Sequence, residues 1–521
     1  MAGKMNKHSR LILAFLSLLS LNAGAALQGN ITSYTTTPLT EKELHELYKP
    51  NLSAFLQNKL NNSLNSVILS STGLEPITSL PESTTFKRKF FRVTQWNIER
   101  GFSIDMINQA LNHTDDYFKK DAFKEISEEK NLKEKALIEQ QISMLKDTDV
   151  FTLNEVDLGI QRTDYKNIAE EFGRIVGAAY YAFIPEFIEL DKRLIEDPKL
   201  DISQYRGLHG NAIVSKFPIK SVRYIRLPSC YDWFNTEKEN LVLFEKARRK
   251  TSKEIVQEEI ITEVRRGDRV ALIADIDLPG EASDITVVSV HIENRCLPKC
   301  RETQLKAILE KLKDSNNPVI LGGDFNNFEK SAEPTTLIKI VRRTMSDPQN
   351  LARATITYFN PYSLMINPGL FVINAVRKHK DPTSPGIPII LRNKSKKLFD
   401  LIHDFKFDDK NRFDFSGEEE LSYDSKDGRL SNSNQRAFKG FVETFHFHRS
   451  FGLAEYKIDW LFFKPLRVTG CDDGESDFED IDPKCKRFIP SFGVTLKEFN
   501  SSPKNIDQFS DHHPVSAVVL I

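Results

Sequence analysis

The residues able to do chemistry in this chain sit beside short apolar runs, and their types belong together. Asp324 and Asn326 follow Val319-Ile-Leu-Gly-Gly323. Asn97 and Glu99 follow the run beginning at Phe90, and Glu155 closes Val150-Phe-Thr-Leu-Asn154. Asn211 opens a run continued by Ala212 and Ile213, and His291 ends Val287-Val-Ser-Val290. Asp459 precedes Trp460-Leu-Phe-Phe463, and Asp511 and His512 precede the terminal run Val515–Leu520. A carboxylate holds a hard cation or takes a proton from water. An amide donates to a phosphoryl oxygen, and a histidine moves a proton or stabilises negative charge. These are the parts that metal-assisted hydrolysis of a phosphate ester needs. Any one of them alone reads as a polar turn after a core strand. Their repetition points to strand edges converging on one pocket. No glycine-rich nucleotide loop, serine nucleophile elbow or cysteine-rich ligand set competes for the role.

Strands must position these groups. Phe90–Gly101 alternates Phe91, Val93 and Gln95 with Arg92, Thr94 and Trp96. Asp149–Glu155 reads as a second strand ending in Glu155, and Tyr180–Glu189 and Leu208–Ile219 as further strand regions. Val270–Leu278 and Asp284–Val290 form an expected strand pair. Val319–Leu321 enters from the turn at Asn316-Asn-Pro318, with Gly322 and Gly323 expected to end it. Between the strands, helical spacing places Ala136, Ile138, Ile142 and Leu145 on one buried face. It does the same for Ile168, Phe172, Ile175 and Val176, and for Leu305, Ile308, Leu309 and Leu312. Residues 237–263 read as a charged helix, with Lys246, Arg248, Arg249 and Lys250 on a solvated face.

The 521 residues are 40% hydrophobic and carry a formal net charge of -1, which excludes a global basic field drawing the protein onto nucleic acid. Lys4, Lys7 and Arg10, the apolar run Leu11–Leu21 and the small residues 23–26 have the layout of a secretory signal peptide. The expectation is a secreted or periplasmic protein. Residues 27–88 read as an N-terminal extension, with a capping box at Thr40-Glu-Lys-Glu43 and a loop over Asn61–Thr72. Residues 329–450 read as an insertion. Its apolar stretch 358–376, followed by Arg377, Lys378 and Lys380, is either a membrane contact or a hairpin packed on the body, the second being the plainer reading. His446 and His448 alternate in a strand at the rim of the site. Of the five cysteines, Cys296 is expected to pair with Cys300 and Cys471 with Cys485, leaving Cys230 over.

The pieces Gln95-Trp-Asn-Ile-Glu99, Leu153-Asn-Glu155, Gly210–Pro218, Ser289-Val-His291, Gly323-Asp-Phe-Asn326, Ile458-Asp-Trp460 and Ser510-Asp-His512 resemble, in order, the endonuclease/exonuclease/phosphatase superfamily. The resemblance covers about residues 90–521 apart from the insertion. It implies a four-layer α/β sandwich of two packed mixed β-sheets flanked by helices, and a magnesium-dependent phosphoric ester hydrolase, with manganese as an alternative metal. It implies metal ligands Glu155, Asn97 and Asp511. Asp324 would orient or deprotonate the attacking water, and Asn326 would bind the phosphate. Asp459 would hold His512, which polarises the water or stabilises the transition state, and His291 would be a second catalytic histidine. Several relatives carry Asp or a neutral residue where Glu99 stands. Asn211 and Arg162 are the substrate-binding candidates, a structural salt bridge being the other reading of Arg162. The partners implied are phosphate esters: nucleic acid in the leading reading, a phospholipid or inositol phosphate in the second, with no obligate protein partner. A non-catalytic binding protein on the same fold is the third reading.

Overall fold

The computed structural model describes residues 39–83, 88–119, 128–191, 202–239, 263–281, 283–327, 395–414, 432–437, 440–446, 455–468, 485–500 and 508–521. The expected signal-peptide segment, the basic cluster at 246–250, the apolar stretch 358–376, His448 and Cys471 lie outside these residues.

In chain order the main elements are α1 (Glu41–Leu47), α2 (Ala54–Leu64), β1 (Ile68–Ser71), β2 (Arg88–Arg100), α3 (Ile104–Asn112), α4 (Glu128–Lys146), β3 (Val150–Leu158), α5 (Ile168–Ile175), β4 (Tyr180–Asp191), β5 (Leu208–Ser215), β6 (Ile219–Arg226), α6 (Trp233–Glu239), β7 (Glu263–Gly267), β8 (Val270–Ile276), β9 (Ile285–His291), α7 (Pro298–Leu312), β10 (Val319–Asp324), α8 (Lys396–Asp404), β11 (Asp459–Lys464), β12 (Ile489–Thr495) and β13 (Val515–Leu520). The first sheet runs β1-β4-β5-β3-β2-β13-β12, with β7 added on β4. The second runs β11-β10-β9-β8-β6. Each is mixed. β2 and β3 are parallel in the first, joined through α3 and α4, and β9 and β10 are parallel in the second, joined through α7.

The inner faces of the two sheets make one core, with Phe91, Val93, Ile213 and Ala517 meeting Leu272, Ala274, Val287, Ile320 and Leu461. The outer face of the first sheet packs on α1–α5 through Trp96, Phe151, Phe172, Ile138, Ile142 and Leu145. The outer face of the second packs on α7 and α8 through Val288, Leu321, Ile308, Phe399 and Phe462. Helix, sheet, sheet and helix give the four layers expected.

Several local expectations are corrected. Gly322 and Gly323 do not end their strand; they lie inside β10, opposite Leu461 and Trp460 of β11. Their reason is contact between layers and strands. A Cβ on Gly322 would come within 2.5 Å of Thr152 Oγ1 in the facing sheet, and one on Gly323 would strike the Val290 backbone. Residues 61–72 are not a loop, since α2 runs to Leu64 and β1 forms the sheet edge on β4. The N-terminal segment is part of the core, with Leu44, Leu47, Leu56 and Leu60 buried. Thr40 does cap α1, in a complete capping box with Glu43. On α4, Ala136 is exposed and Gln141 shares the buried face instead. Described parts of the expected insertion pack on the second sheet: the Phe399 and Phe441 rings lie 4.7 and 4.9 Å from the Trp460 ring.

The expected Cys296–Cys300 pair does not form. Cys230 is bonded to Cys300, with Cα atoms 6.0 Å apart, and Cys296 is a buried free thiol. Cys296 to Cys300 is one turn of chain leading into α7, whereas Cys230 approaches from the loop after β6, so tertiary packing decided the pairing. Cys485 is disulfide-bonded, and its expected partner Cys471 lies outside the described residues.

Candidate active site

Three of the expected site residues sit where the backbone departs from regular geometry. The parallel ladder of β2 and β3 holds through Asn97 opposite Asn154 and resumes only at Arg100 opposite Val156. The β3–β5 ladder breaks between Leu153 and Val156. Glu99 and Glu155 occupy these irregularities with φ of 46° and 52°, and Asn326, just past β10, has φ of 41°. Positive φ is costly for a residue with a side chain, and it persists where the surroundings enforce it. Glu155 therefore does not end its strand, as expected from sequence. β3 continues to Leu158, and the bulge turns the carboxylate out of the ladder.

Asp324 is the hub. Asn97 Nδ2 donates across the sheets to Asp324 Oδ2 and to Glu155 Oε1, each at 3.3 Å. His291 Nε2 and His512 Nε2 lie 3.6 and 3.8 Å from the same Asp324 oxygen. The other Asp324 oxygen accepts the Asn326 backbone N–H at 2.9 Å, and the Asp324 N–H donates to Asn154 Oδ1 at 3.0 Å. His512 Nδ1 is 2.8 Å from Asp459 Oδ2, and Asp511 Oδ1 is 3.8 Å from His512 Nε2. Glu99 Oε2 accepts the Asp511 N–H at 3.0 Å, and Asn326 Nδ2 donates to the Ile292 carbonyl at 2.9 Å. Nearly all of these side chains are buried; Asp511 and Glu155 face solvent in part.

Burial alone would raise Glu155, but Arg100 and the surrounding histidines outweigh it and hold the carboxyl well below the usual range. Asp324 moves the other way. Its burial and the nearby Asp459 charge raise it against the pull of His512 and His291. His512 is desolvated, yet Asp459, Asp511 and Asp324 hold it well above an ordinary histidine. Two carboxylates in one pocket are thus driven apart, one toward charge and one toward accepting a proton.

The sequence matches the Endonuclease/Exonuclease/phosphatase family over residues 94–512. The chain belongs to that family. No curated protein matches it. Among solved structures, it is similar to an endonuclease/exonuclease/phosphatase of Beutenbergia cavernae, at 14% identity and TM-score 0.33, covering 83% of this chain and 72% of that one. It is similar to truncated TDP2 of Caenorhabditis elegans at 10% identity and TM-score 0.35, covering 83% and 98%. The human Nocturnin catalytic domain with bound sulfate anion gives 12% and 0.31, covering 84% and 98%. The assignment rests on the sequence match. Members of the family are phosphoric ester hydrolases, typically dependent on a divalent metal.

The donor set fits a hard cation. Among the described residues, Glu155 is a charged, largely enclosed carboxylate that accepts from Asn97 at 3.3 Å and lies 3.7 Å from Arg100. A carboxylate pair has lone pairs for more than that. Asn97 lies beside it, Glu99 is joined to Asp511 through the Asp511 N–H, and all four side chains offer oxygens, the donors that a hard cation takes.

Two expected substrate contacts are corrected by their surroundings. Asn211 is fully buried. Its amide donates to Glu186 Oε1 and to the Val270 carbonyl, and its oxygen accepts from Asn154. It belongs to the floor of the site. Arg162 makes the salt bridge: both Nε and Nη2 reach Asp157, at 2.7 and 2.8 Å, and Nη1 reaches Glu189 at 2.5 Å. Its donors are spent on buried carboxylates, so it has no free fork for a phosphate.

Sequence reasoning singles out the segment Glu186–Leu190 but assigns no role to Glu186 or Arg269, the residues behind His291. Arg269 Nη1 lies 2.8 Å from both Glu186 Oε2 and His291 Nδ1. Burial raises Glu186, but Arg269 and His291 overcome it and bring the carboxyl down to about 2. The signal was present: Glu186 interrupts an apolar strand and Arg269 abuts the apolar run of β8. Thr444 and Phe445, from the expected insertion, were also missed. Thr444 Oγ1 accepts the N–H groups of Ile458 and Asp459, and the Phe445 ring lies 5.0 Å from the His512 ring. His446 lies in the same two-residue strand.

Proposed function

We propose that this protein is an exported, divalent-metal-dependent phosphodiesterase, with nucleic acid as the leading substrate class. The observation that carries the reading is the convergence on one Asp324 oxygen of Asn97, His291 and His512, at 3.3, 3.6 and 3.8 Å, with Asp459 behind His512 at 2.8 Å. Glu155, Asn97 and Asp511 would hold magnesium, or manganese. The metal supplies charge neutralisation on the phosphoryl oxygens.

The chain's own groups do the rest. Asp324 is fixed by the Asn326 and Asn154 contacts, and burial raises its affinity for a proton, which suits it to take one from the attacking water. His512, its Nδ1–H directed to Asp459, presents Nε2–H to the negative charge that develops at phosphorus. Asn326 retains an amide hydrogen for a phosphoryl oxygen. Export is supported by the apolar leader sequence and by the Cys230–Cys300 bond. Among the described residues, no helix is long and apolar enough to cross a membrane. The lipid-directed reading depends on residues 358–376, which lie outside the described residues, so nothing in the structure favours it.

The test is a parallel assay of residues 27–521 on plasmid DNA, RNA, sphingomyelin vesicles and a phosphomonoester, with magnesium and with chelator. Metal-dependent cleavage of a nucleic acid that vanishes in His512→Ala supports the proposal. Release of phosphocholine alone, or of phosphate alone, replaces the substrate class. No turnover on any of them removes the enzymatic reading.

A further inference from the structure

The two histidines that face Asp324 are held by opposite kinds of partner. His512 Nδ1 meets a carboxylate, Asp459, at 2.8 Å. A carboxylate accepts, so Nδ1 carries a proton. His291 Nδ1 meets the guanidinium of Arg269 at 2.8 Å. A guanidinium has donors and no acceptor. A proton on His291 Nδ1 would set two N–H groups, and with a charged ring two cations, against each other in a buried site.

The clamp on Arg269 leaves it no other arrangement. Nη1 has two hydrogens and two acceptors in reach, Glu186 Oε2 and His291 Nδ1, both at 2.8 Å. Nε is 3.5 Å from Glu293. The guanidinium sits 5.4 Å from the Phe187 ring and 5.6 Å from the Trp233 ring. Trp233 is itself fixed, its Nε1 donating to Glu293 at 2.9 Å. Glu186 is 3.5 Å from His291 Nδ1, farther than Arg269, and it already accepts from Arg269 and Asn211.

We propose that Arg269 is a positioning residue that fixes His291 as the Nε2–H tautomer, making His291 a hydrogen-bond donor to the substrate phosphate and not a proton-transfer group. The inference rests on the phosphate-ester reading of the site. The division of labour follows: Asp324 takes the proton of the attacking water, His512 faces the charge that develops at phosphorus, and His291 holds a non-bridging oxygen beside Asp324. Arg269 acts through His291 and touches no substrate.

Two measurements test it on the full mature chain. In ring-nitrogen NMR of protein labelled at histidine, with the signal assigned by its loss in His291→Gln, the account expects a protonated Nε2 and a lone-pair Nδ1 for His291. A protonated Nδ1, alone or in an imidazolium, overturns it. This spectrum needs no substrate, so it decides the tautomer even if no phosphate ester is turned over. The second measurement compares His291→Gln with His291→Ala in kcat on the responding substrate. The glutamine amide nitrogen stands near the place of Nε2 and can donate but cannot transfer a proton. Gln should remain within about 10-fold of wild type while Ala falls by about 100-fold or more. Equal losses in the two overturn the donor role. In Arg269→Met, if folded, His291 Nδ1 should gain a proton beside Glu186, and an unchanged ring spectrum would remove Arg269 from its role.

Discussion

The two sheets contribute to the pocket in different ways. The first supplies Asn97, Glu99 and Glu155 from bulged backbone with positive φ at both glutamates, and its key carboxylate is charged and short of hydrogen bonds. The second supplies His291, Asp324 and Asp459 from unbroken ladders, with His291 opposite Asp324 and Asp324 opposite Asp459 in register. Irregular backbone aims oxygen ligands away from the ladder, toward a cation. Regular backbone holds groups that must stay aligned with one another around the reacting phosphate. His512 crosses the divide: it precedes β13 of the first sheet but is held by Asp459 of the second. The metal and the acid–base work are thus expected to be separable by mutation.

The largest effects should come from the regular side. Asp324→Ala and His512→Ala are expected to lower kcat on the responding phosphodiester by roughly 10²- to 10⁴-fold. Circular dichroism should stay unchanged, since neither side chain is part of a hydrophobic cluster. A variant of either residue with near wild-type turnover would remove it from the mechanism.

That side is also covalently tied. Cys230 and Cys300 close a loop with a sequence separation of 70, and Cys230→Ser should cost roughly 4 kcal/mol in denaturant unfolding. Peptide mapping should find Cys230 joined to Cys300, with Cys296 resisting alkylation until the chain unfolds. Burial raises that thiol to about 11. A mapped Cys296–Cys300 bond would contradict the fold around α7.

Where the sheets meet, Gly322→Ala should cost about 1–3 kcal/mol, because its Cβ would crowd Thr152 Oγ1 at 2.5 Å. Adding Thr152→Ala should recover part of that loss; simple additivity would show that the two sites do not touch.

The smallest effect tests the first sheet away from the pocket. Burial raises Asp149 from 3.8 to about 6, although its carboxylate accepts the Arg92 N–H at 2.9 Å. A carboxyl raised in the folded state favours folding below its unfolded pKa, and that advantage is lost as pH rises through the folded value. Asp149→Asn should match wild type in stability near pH 4 and exceed it above pH 6, by about 1–3 kcal/mol. Chemical denaturation at both pH values checks the crossing.

Much of this was legible in the sequence because the site is written in strand edges. Asp324, Asn326, Asp459 and His512 each border an apolar run, and the terminal Ser510-Asp-His512 and the Gly323-Asp-Phe-Asn326 segments carried the family resemblance. Less visible was anything set by partners distant in the chain. Substrate contact stood open for Asn211, and beside the salt bridge for Arg162, because a sequence does not show that Glu186 and the Val270 carbonyl take the donors of Asn211 or that Asp157 and Glu189 take those of Arg162. The bulge at Glu155 looked like a strand end because one strand's irregularity exists only relative to its neighbours. Gly322 and Gly323 looked like a turn because close approach of two sheets and backbone reversal call for the same residue. Cysteine pairing failed for the same reason: the nearer partner in sequence was not the nearer in space.

The most direct test of the division between the sheets is calorimetric titration of magnesium or manganese into wild type, Glu155→Gln and Asp324→Asn, with turnover measured on the same preparations. The account predicts that Glu155→Gln weakens metal binding by at least about 10-fold. Asp324→Asn should bind metal as wild type does while losing turnover. Loss of metal binding in Asp324→Asn, with Glu155→Gln binding normally, would contradict it.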